Sequence, residues 1–472
     1  MSIRGRGALS TAIVVAVALL LVCPGTAQAG PVMALTWPPC FARSTPIDAG
    51  LTETARTTGA GGRLLDLTLQ STATHGPQHV NVLLPVGYDA SGTTRYPVLY
   101  LLHGSLQSYR SWVTDGDVQN IVGSLPLIVV MPDDSGGGSY SDWYGVTSPL
   151  GTTTVPSWES YHLRELVPWI DAHYPTVAAP GGRVVAGLSS GGGGAMKYAA
   201  AHPGLFGYAG SFSGAVNITL PNYYPIGEVS SLLGVPQDGH CTWGNPYSQE
   251  VIWQDNDPVY LAENLGGTAL WAAYGNGSPG ELDGPLATPD PIERVVMAMN
   301  LRLDWALAAA GVPATIEFYG NGTHTWPYWQ RDLRRFLAWL TPQLAPRPAP
   351  AFEVRSARPT FTAWDWSFVP HRFVREFTYL AGVSPVGLDV TGSGTLDVVT
   401  AAAYAPGARF TVRSGPFAGF PTTTTTVVTA DAGGRLRFTV DLGPTHLKHQ
   451  TDFGPGATFG WAHAHVAITA AT

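Results

Sequence analysis

The stretch that most constrains the fold is residues 184–195, where an apolar strand pattern runs into Gly187-Leu188-Ser189-Ser190-Gly191 and then into a helix pattern. Gly-x-Ser-x-Gly between a strand and a helix is typical of a turn that holds a serine hydroxyl at its tip. Both glycines are needed because a Cβ would crowd the neighbouring strand and helix. Glycine supplies 56 of the 472 residues, so a glycine-rich loop with incidental serines is the alternative. The rest of the chain has to decide between them.

The first 29 residues have the pattern of a secretory signal peptide. Arg4 and Arg6 precede an apolar segment at 12–22, and Ala27-Gln28-Ala29 stands before Gly30. The apolar core is too short for a transmembrane helix, and no later segment is long and apolar enough to be one. A lipoprotein signal using Cys23 is the alternative, but valine is a poor match just before a lipidated cysteine. The sequence therefore predicts a secreted chain that is extracellular or associated with the cell wall.

Composition excludes several classes of partner. Only 12% of the residues are charged and the net charge is −8, with no basic block, so neither nucleic acid nor an anionic membrane is expected. Cysteine and histidine show no zinc spacing, acidic residues show no calcium-loop spacing, and we expect no metal or cofactor. Signal removal leaves Cys40 and Cys241, which permit one disulfide without proving it.

The alternation of elements predicts an α/β domain with a mostly parallel sheet covered on both faces. Apolar strand patterns alternate with amphipathic helix patterns, the strands at 96–102, 127–132, 184–187, 269–275 and 315–319, and the helices at 158–172, 195–201, 292–310 and 326–340. We interpret 30–61 as an N-terminal lead and 62–342 as the catalytic domain.

Beyond residue 342 the pattern changes. Proline at high density in 343–352 predicts a semi-rigid linker. Short β-type runs separated by Gly- and Asp-rich turns follow, at 388–391, 396–400, 409–412, 425–428, 436–440 and 464–469. They predict a C-terminal all-β sandwich over 353–472, which could bind cell-wall material or carbohydrate.

Acyl transfer through a serine also needs a base, an acid that orients the base, and donors for the oxyanion. His324 follows the last strand of the first domain, where an α/β-hydrolase places its histidine. Two acids are candidates, Asp283 after the preceding strand and Glu293 about ten residues later. The amides of Ser105 and Ser190 are the candidate oxyanion donors.

Over residues 62–342 the chain resembles the esterase D and antigen 85 (mycolyltransferase) group of α/β-hydrolases. The resemblance rests on motifs in the family's order, of which Asn321-Gly322-Thr323-His324-Thr325-Trp326-Pro327-Tyr328-Trp329 is the longest and most specific. It implies that Ser189 is the nucleophile, His324 the base and Glu293, rather than Asp283, the acid. It also implies that the amides of Ser105 and Ser190 form the oxyanion hole.

The chain departs from the antigen 85 branch beside the oxyanion loop. Where those enzymes carry an aspartate and an arginine that help to hold trehalose, this sequence has His103 and Leu106. We expect His103, Leu106 and Trp326 to contact the substrate. The expected substrate is an acyl ester, and a cell-envelope glycolipid is one candidate. The alternatives are a mycolyl- or other acyltransferase to a sugar such as trehalose and, in another class, a non-catalytic cell-wall or carbohydrate-binding protein.

Overall fold

The computed structural model describes residues 40–43, 50–59, 61–146, 155–220, 241–416, 423–452 and 460–471. The predicted signal peptide, 1–29, lies outside these ranges. Across the described ranges, every helix is too short or too polar to cross a bilayer.

A nine-stranded sheet forms the centre of the first domain, in the order β11-β10-β9-β8-β5-β6-β4-β3-β2. The six strands from β11 to β6 run parallel to their neighbours, and β4, β3 and β2 extend the sheet in antiparallel fashion. The predicted mostly parallel sheet is therefore confirmed. Its strands are β2 (Leu51–Thr58), β3 (Leu64–Ser71), β4 (Gly76–Leu83), β5 (Val98–Leu102), β6 (Ile128–Pro132), β8 (Arg183–Leu188), β9 (Tyr208–Phe212), β10 (Ala269–Tyr274) and β11 (Ala314–Phe318).

Helices cover both faces of this sheet. The central strands are therefore buried on both sides, which is why their sequences are continuous apolar runs. Two apolar clusters result, one on each face. The helices are α1 (Ser111–Thr114), α2 (Val118–Val122), α3 (Trp158–Ser160), α4 (Val167–His173), α5 (Ser190–Ala201), α6 (Glu250–Gln254), α7 (Pro291–Ala309) and α8 (Trp326–Leu340). A π-helical segment, Tyr161–Leu166, joins α3 to α4, so the single α-helix predicted at 158–172 is interrupted.

The predicted boundary between an N-terminal lead and the catalytic domain is wrong. Leu51–Thr58 pairs along its length with Leu64–Ser71 and forms the edge of the central sheet, so the domain begins before residue 62. The sequence concealed this strand because both of its faces are largely solvent-exposed and it lacks a clear apolar alternation. Upstream, β1 (Phe41–Ala42) pairs with β7 (Gly145–Val146), and Cys40 forms a disulfide with Cys241.

The C-terminal part of the chain forms two antiparallel sheets that share one apolar core. One sheet has the order β12-β15-β16-β21-β18-β19 and the other β13-β14-β17-β20. Four of these strands, β12 to β15, had no counterpart in the sequence prediction. The strands are β12 (Phe352–Ser356), β13 (Phe361–Ala363), β14 (Trp366–His371), β15 (Thr378–Ser384), β16 (Gly387–Gly392), β17 (Thr395–Val399), β18 (Arg409–Pro416), β19 (Thr424–Thr429), β20 (Arg437–Asp441) and β21 (Ala462–Ala470).

The proline-rich segment between the domains is held against the first domain. The Ala345 amide donates to the Tyr208 hydroxyl at 3.1 Å, and the Arg347 guanidinium lies over the Tyr208 ring. After the linker, Phe377 of the β domain packs on Tyr260 of the first domain, with 5.3 Å between ring centroids. The two domains therefore share a packed interface.

Candidate active site

Ser189 stands at the turn between β8 and α5 in a strained conformation, with φ 53° and ψ −123°. The two flanking glycines make this turn possible. A Cβ on Gly187 would lie 2.6 Å from the Gly191 backbone, and a Cβ on Gly191 would lie 2.4 Å from the His103 carbonyl oxygen. Both distances are far inside contact range, so the sequence Gly-x-Ser-x-Gly is required by the close approach of strand, turn and helix.

His324 lies directly against this serine. Its Nε2 is 2.8 Å from Ser189 Oγ, and its Nδ1 is 2.6 Å from Glu293 Oε2. A neutral imidazole with its proton on Nδ1 donates to the carboxylate and accepts from the hydroxyl, which is the arrangement a general base requires. The structure thus brings Ser189, His324 and Glu293 into one hydrogen-bonded chain.

Glu293 is 0% exposed and starts the first turn of α7. Its Oε1 accepts from the Gly275 amide at 2.7 Å, the Ser213 hydroxyl at 2.8 Å and, at 3.4 Å, the Tyr319 hydroxyl. Neutral donors therefore satisfy one carboxylate oxygen, and the other oxygen holds the histidine. Burying a carboxylate is tolerated when its oxygens accept hydrogen bonds in this way.

Asp290 couples the backbone of the glutamate to that of the histidine. Its Oδ1 accepts from the Ile292 and Glu293 amides and so caps α7, while its Oδ2 accepts from the His324 amide at 2.9 Å. Asp290, Ser213 and Tyr319 were all missed by the sequence analysis. Asp290 could have been found, because an aspartate followed by Pro291 is a recognisable helix start. Ser213 and Tyr319 gave no such signal.

Asp283, the rival acid, does not reach the histidine. Its carboxylate accepts from the Gly280 amide at 2.8 Å, from Thr323 Oγ1 at 2.5 Å and from the Tyr328 hydroxyl at 2.8 Å. These bonds fix the loop that carries His324 rather than the imidazole itself. The geometry therefore favours Glu293 as the partner of His324.

The loop after β5 approaches the serine from the other side. A Cβ on Gly104 would lie 3.2 Å from Ser189 Cβ, which places the Gly104-Ser105 turn in contact with the nucleophile candidate. Ser190 is the first residue of α5, so its N–H has no partner within the helix. Within the described part of the chain, no backbone carbonyl accepts from the Ser105 or Ser190 amide. Both amides are free to bind an oxygen beside Ser189.

The three residues expected to contact substrate are placed differently from one another. His103 is 1% exposed, its Nδ1 contacts the Gly104 carbonyl and its Nε2 accepts from the Asp134 amide, so its ring faces the interior. The prediction that His103 contacts substrate is therefore wrong. Leu106, with φ 61°, is 64% exposed beside the oxyanion loop, and the Trp326 ring packs edge-on against Trp112 at 5.3 Å.

A buried acid lies behind the glutamate. Asp332 on α8 is ion-paired with Arg331, whose guanidinium lies over the Tyr319 ring 3.9 Å from its centroid. Burial nevertheless raises the pKa of Asp332 to about 7. Among the described residues, no group of three or more His, Cys, Asp or Glu side chains could hold a metal ion.

A doubly wound sheet with a strained serine between strand and helix, a histidine from a late loop and a buried glutamate defines the α/β-hydrolase class. The Esterase family model matches residues 71–340, more than half of the chain. The chain belongs to this family of esterases. The family resemblance stated from the sequence is thereby confirmed.

Individual relatives agree with this assignment. The chain is 39% identical to Esterase MT1326 of Mycobacterium tuberculosis over 276 residues, 56% of each chain, so it spans about half the length of that curated relative. It is 32% identical over 254 residues to the diacylglycerol acyltransferase/mycolyltransferase Ag85B of Mycobacterium leprae, which covers 52% of this chain and 75% of that one.

Solved structures similar to the chain include Mycobacterium tuberculosis MPT51. It has a TM-score of 0.48 and 22% identity over 64% of this chain and all of that one. An S-formylglutathione hydrolase from Agrobacterium tumefaciens has a TM-score of 0.47 and 17% identity, covering 62% and 100% of the two chains.

Proposed function

We propose that the protein is an exported serine esterase that cleaves carboxylic esters through an acyl-enzyme on Ser189. The observation that carries the proposal is the hydrogen-bonded chain from Ser189 Oγ to His324 Nε2, at 2.8 Å, and from His324 Nδ1 to Glu293, at 2.6 Å. The disulfide between Cys40 and Cys241 supports export, since such bonds persist in oxidising compartments.

In the first half of the reaction, His324 Nε2 removes the proton of the Ser189 hydroxyl as Oγ forms a bond to the ester carbonyl carbon. The carbonyl oxygen becomes an oxyanion, which accepts hydrogen bonds from the Ser105 and Ser190 amides. Collapse of this intermediate breaks the bond to the alcohol oxygen, and His324 returns the proton to the departing alcohol. Glu293 holds the imidazole in orientation and stabilises its positive charge.

In the second half, an acceptor hydroxyl attacks the acyl-enzyme while His324 takes the acceptor's proton. Breaking the bond to Oγ releases the acyl product, and His324 returns a proton to Ser189. With water as acceptor the enzyme is a hydrolase. With a sugar hydroxyl it is an acyltransferase, the second candidate function, which the similarity to a protein named a mycolyltransferase favours.

Fluorophosphonate labelling together with turnover of a short-chain p-nitrophenyl ester tests the proposal. We expect one labelled serine in the parent protein, no label and no turnover in Ser189→Ala, and parental behaviour in Ser248→Ala, a matched change at an exposed serine of the same domain. Equal labelling of Ser189→Ala would contradict the proposal. Adding trehalose or another sugar then shows, by mass spectrometry of acyl products, whether the acceptor is water or a sugar.

A further inference from the structure

A cavity of about 600 Å³ lies where the first domain meets the β domain, residues 353–472. Residues of α3, the π-helical segment and α6 form one side of it, and Arg358 and Arg375 of the β domain form the other. Its volume is within the range of pockets that bind small organic ligands. Ser189, His324 and Glu293 are not among its lining residues.

The cavity is separated from the serine by the length of α5. Two of its neighbours, Lys197 and His202, pair with Glu159 at the C-terminal half and end of this helix, whereas Ser190 begins it. Lys197 is seven positions beyond Ser190 in this helix, about 10 Å along the axis. A ligand in the cavity would therefore be distinct from the ester at Ser189.

Two of the three acids that line the cavity already have strong partners. Glu159 is paired with Lys197 at 2.9 Å, with His202 at 2.7 Å and with Arg358. Asp255 accepts from the Ala357 amide at 3.0 Å and lies 3.7 Å from Arg358 Nε. Both acids are thus paired with Arg358.

Three further arginines line the cavity, Arg43 and Arg164 of the first domain and Arg375 of the β domain. Within the described residues the Arg375 guanidinium makes no hydrogen bond or contact ion pair with a side chain, although it is partly buried. Burial lowers the pKa of this guanidinium. Asp255 attracts this cation through space but forms no contact ion pair with it. A desolvated cation without a contact ion pair is unfavourable, and an anion bound in the cavity would supply one.

The segment carrying Arg375 is rigidly held. The Arg375 amide donates to His449 Nδ1 at 2.7 Å, and its carbonyl oxygen accepts from the Gln450 amide at 3.0 Å. The next residue, Glu376, is buried and bonded to Ser393, and Phe377 packs on the first domain. Because the backbone is fixed on both sides, little conformational entropy would be lost when the guanidinium binds a ligand.

The opposite wall offers a hydrogen-bond acceptor and aromatic surface. Asp142 lines the cavity, and among the described residues its two oxygens accept only from the Ser160 amide and hydroxyl, at 2.9 and 2.7 Å. A carboxylate has about four acceptor sites, so two remain for ligand hydroxyls. Tyr144 and Trp143 also line the cavity. The cavity wall thus offers partners for hydroxyl groups, for an anionic group and for an apolar ring face. A sugar with an acidic group has all three.

We propose that this interdomain cavity binds a sugar bearing a carboxylate or phosphate group. Arg375 binds the anionic group, Asp142 accepts from sugar hydroxyls, and the sugar ring lies against Tyr144. Such a site is additional to the ester chemistry at Ser189 and does not depend on it.

Isothermal titration of the full mature chain with glucuronate and with glucose 6-phosphate tests the proposal, with glucose and inorganic phosphate as comparison probes. We expect at least one acidic sugar to bind the parent protein. Both comparison probes should bind it at least tenfold more weakly, and so should that acidic sugar with Arg375→Gln. The control Arg413→Gln, an exposed arginine on β18, should bind like the parent. Failure of both acidic sugars to bind, or equal binding by Arg375→Gln, would overturn the proposal. If inorganic phosphate bound as tightly as the acidic sugar, the requirement for a sugar would be overturned. If glucose bound as tightly, the requirement for an anionic group would be overturned.

Thermal unfolding without ligand separates binding from a structural role. Because Arg375 lacks a direct counter-charge, Arg375→Gln should melt at or above the parental temperature and hydrolyse p-nitrophenyl esters at the parental rate. A fall of several degrees would show that Arg375 serves the interface instead and would overturn the proposal. Ester turnover is read independently, so failure here is distinguishable from failure of the serine mechanism.

Discussion

Two buried glutamates, Glu293 and Glu159, each hold a histidine, and they do so in different surroundings. Glu293 binds His324 Nδ1 at 2.6 Å, and Glu159 binds His202 Nε2 at 2.7 Å. Around Glu293 the other donors are neutral, a backbone amide and two hydroxyls. Around Glu159 they are the cations Lys197 and Arg358.

The difference shows what makes a histidine–glutamate pair available for catalysis. At Glu293 the imidazole is the one hydrogen-bond partner in the described structure that can carry a positive charge, and its other nitrogen faces Ser189. At Glu159 burial would raise the carboxyl pKa, but Arg358 and Lys197 hold that pKa well below its usual range. Through Lys197 and Arg358, Glu159 connects helix α5 of the first domain to the start of the β domain. The first glutamate orients the base of the proposed reaction, and the second joins two domains.

The largest expected effect is on catalysis by Glu293→Gln. Without a carboxylate on Nδ1 the imidazole loses its orientation and the stabilisation of its positive charge, so kcat for a p-nitrophenyl ester should fall about 10⁴-fold. Steady-state kinetics with a circular-dichroism melt measures this. The matched variant Asp283→Asn, which touches only the loop of His324, should lose far less. A larger loss of kcat in Asp283→Asn than in Glu293→Gln would contradict the assignment of Glu293 as the acid.

The reverse pattern is expected of Glu159→Gln. Lys197 would remain buried without its paired carboxylate and Arg358 would keep only Asp255, 3.7 Å from its Nε, which should cost about 3–5 kcal/mol of unfolding free energy. The activity per folded molecule should stay near that of the parent protein. Chemical denaturation measures this loss of stability. The loss should shrink as pH falls below the ordinary glutamate pKa of 4.5, because Glu159 is then protonated in the unfolded parent before it is protonated in the folded parent. Unchanged stability at neutral pH would contradict the structural role of Glu159.

A smaller effect, with the opposite pH dependence, is expected at Asp332. Its pKa is raised to about 7 by burial, from an ordinary value of 3.8, so the folded state binds more protons than the unfolded state between these values. The parent should therefore lose stability as pH rises from about 4 to 7. In Asp332→Asn this part of the loss should disappear, as measured by denaturation at several pH values. An identical pH dependence in both proteins would contradict the raised pKa.

The elements of the site that follow local rules could be predicted from the sequence. Ser189 sits in a short motif with a steric cause, and His324 sits in a long motif after the last strand. Glu293 needed the family resemblance, because both it and Asp283 occupy acceptable chain positions. Only the fold shows that Asp283 is already bonded to Thr323 and Tyr328.

What depends on long-range packing could not be predicted. Arg358 reaches Glu159 across 199 residues, and no local pattern announces that pair. Strand β2 was missed because its exposed faces give no apolar alternation. His103 was placed at the substrate from its position beside the oxyanion loop, but sequence cannot show that the ring turns inward toward Asp134.

The central claim is that Ser189 carries the acyl group, and rapid-quench mass spectrometry tests it most directly. The enzyme is mixed with p-nitrophenyl acetate, quenched in acid within the first turnovers, digested and mapped. We predict one acetyl group on the peptide containing Ser189 and a stronger signal in Glu293→Gln if deacylation is slowed more than acylation. An acetyl group on another residue, or ester turnover by Ser189→Ala at the parental rate, would contradict the account.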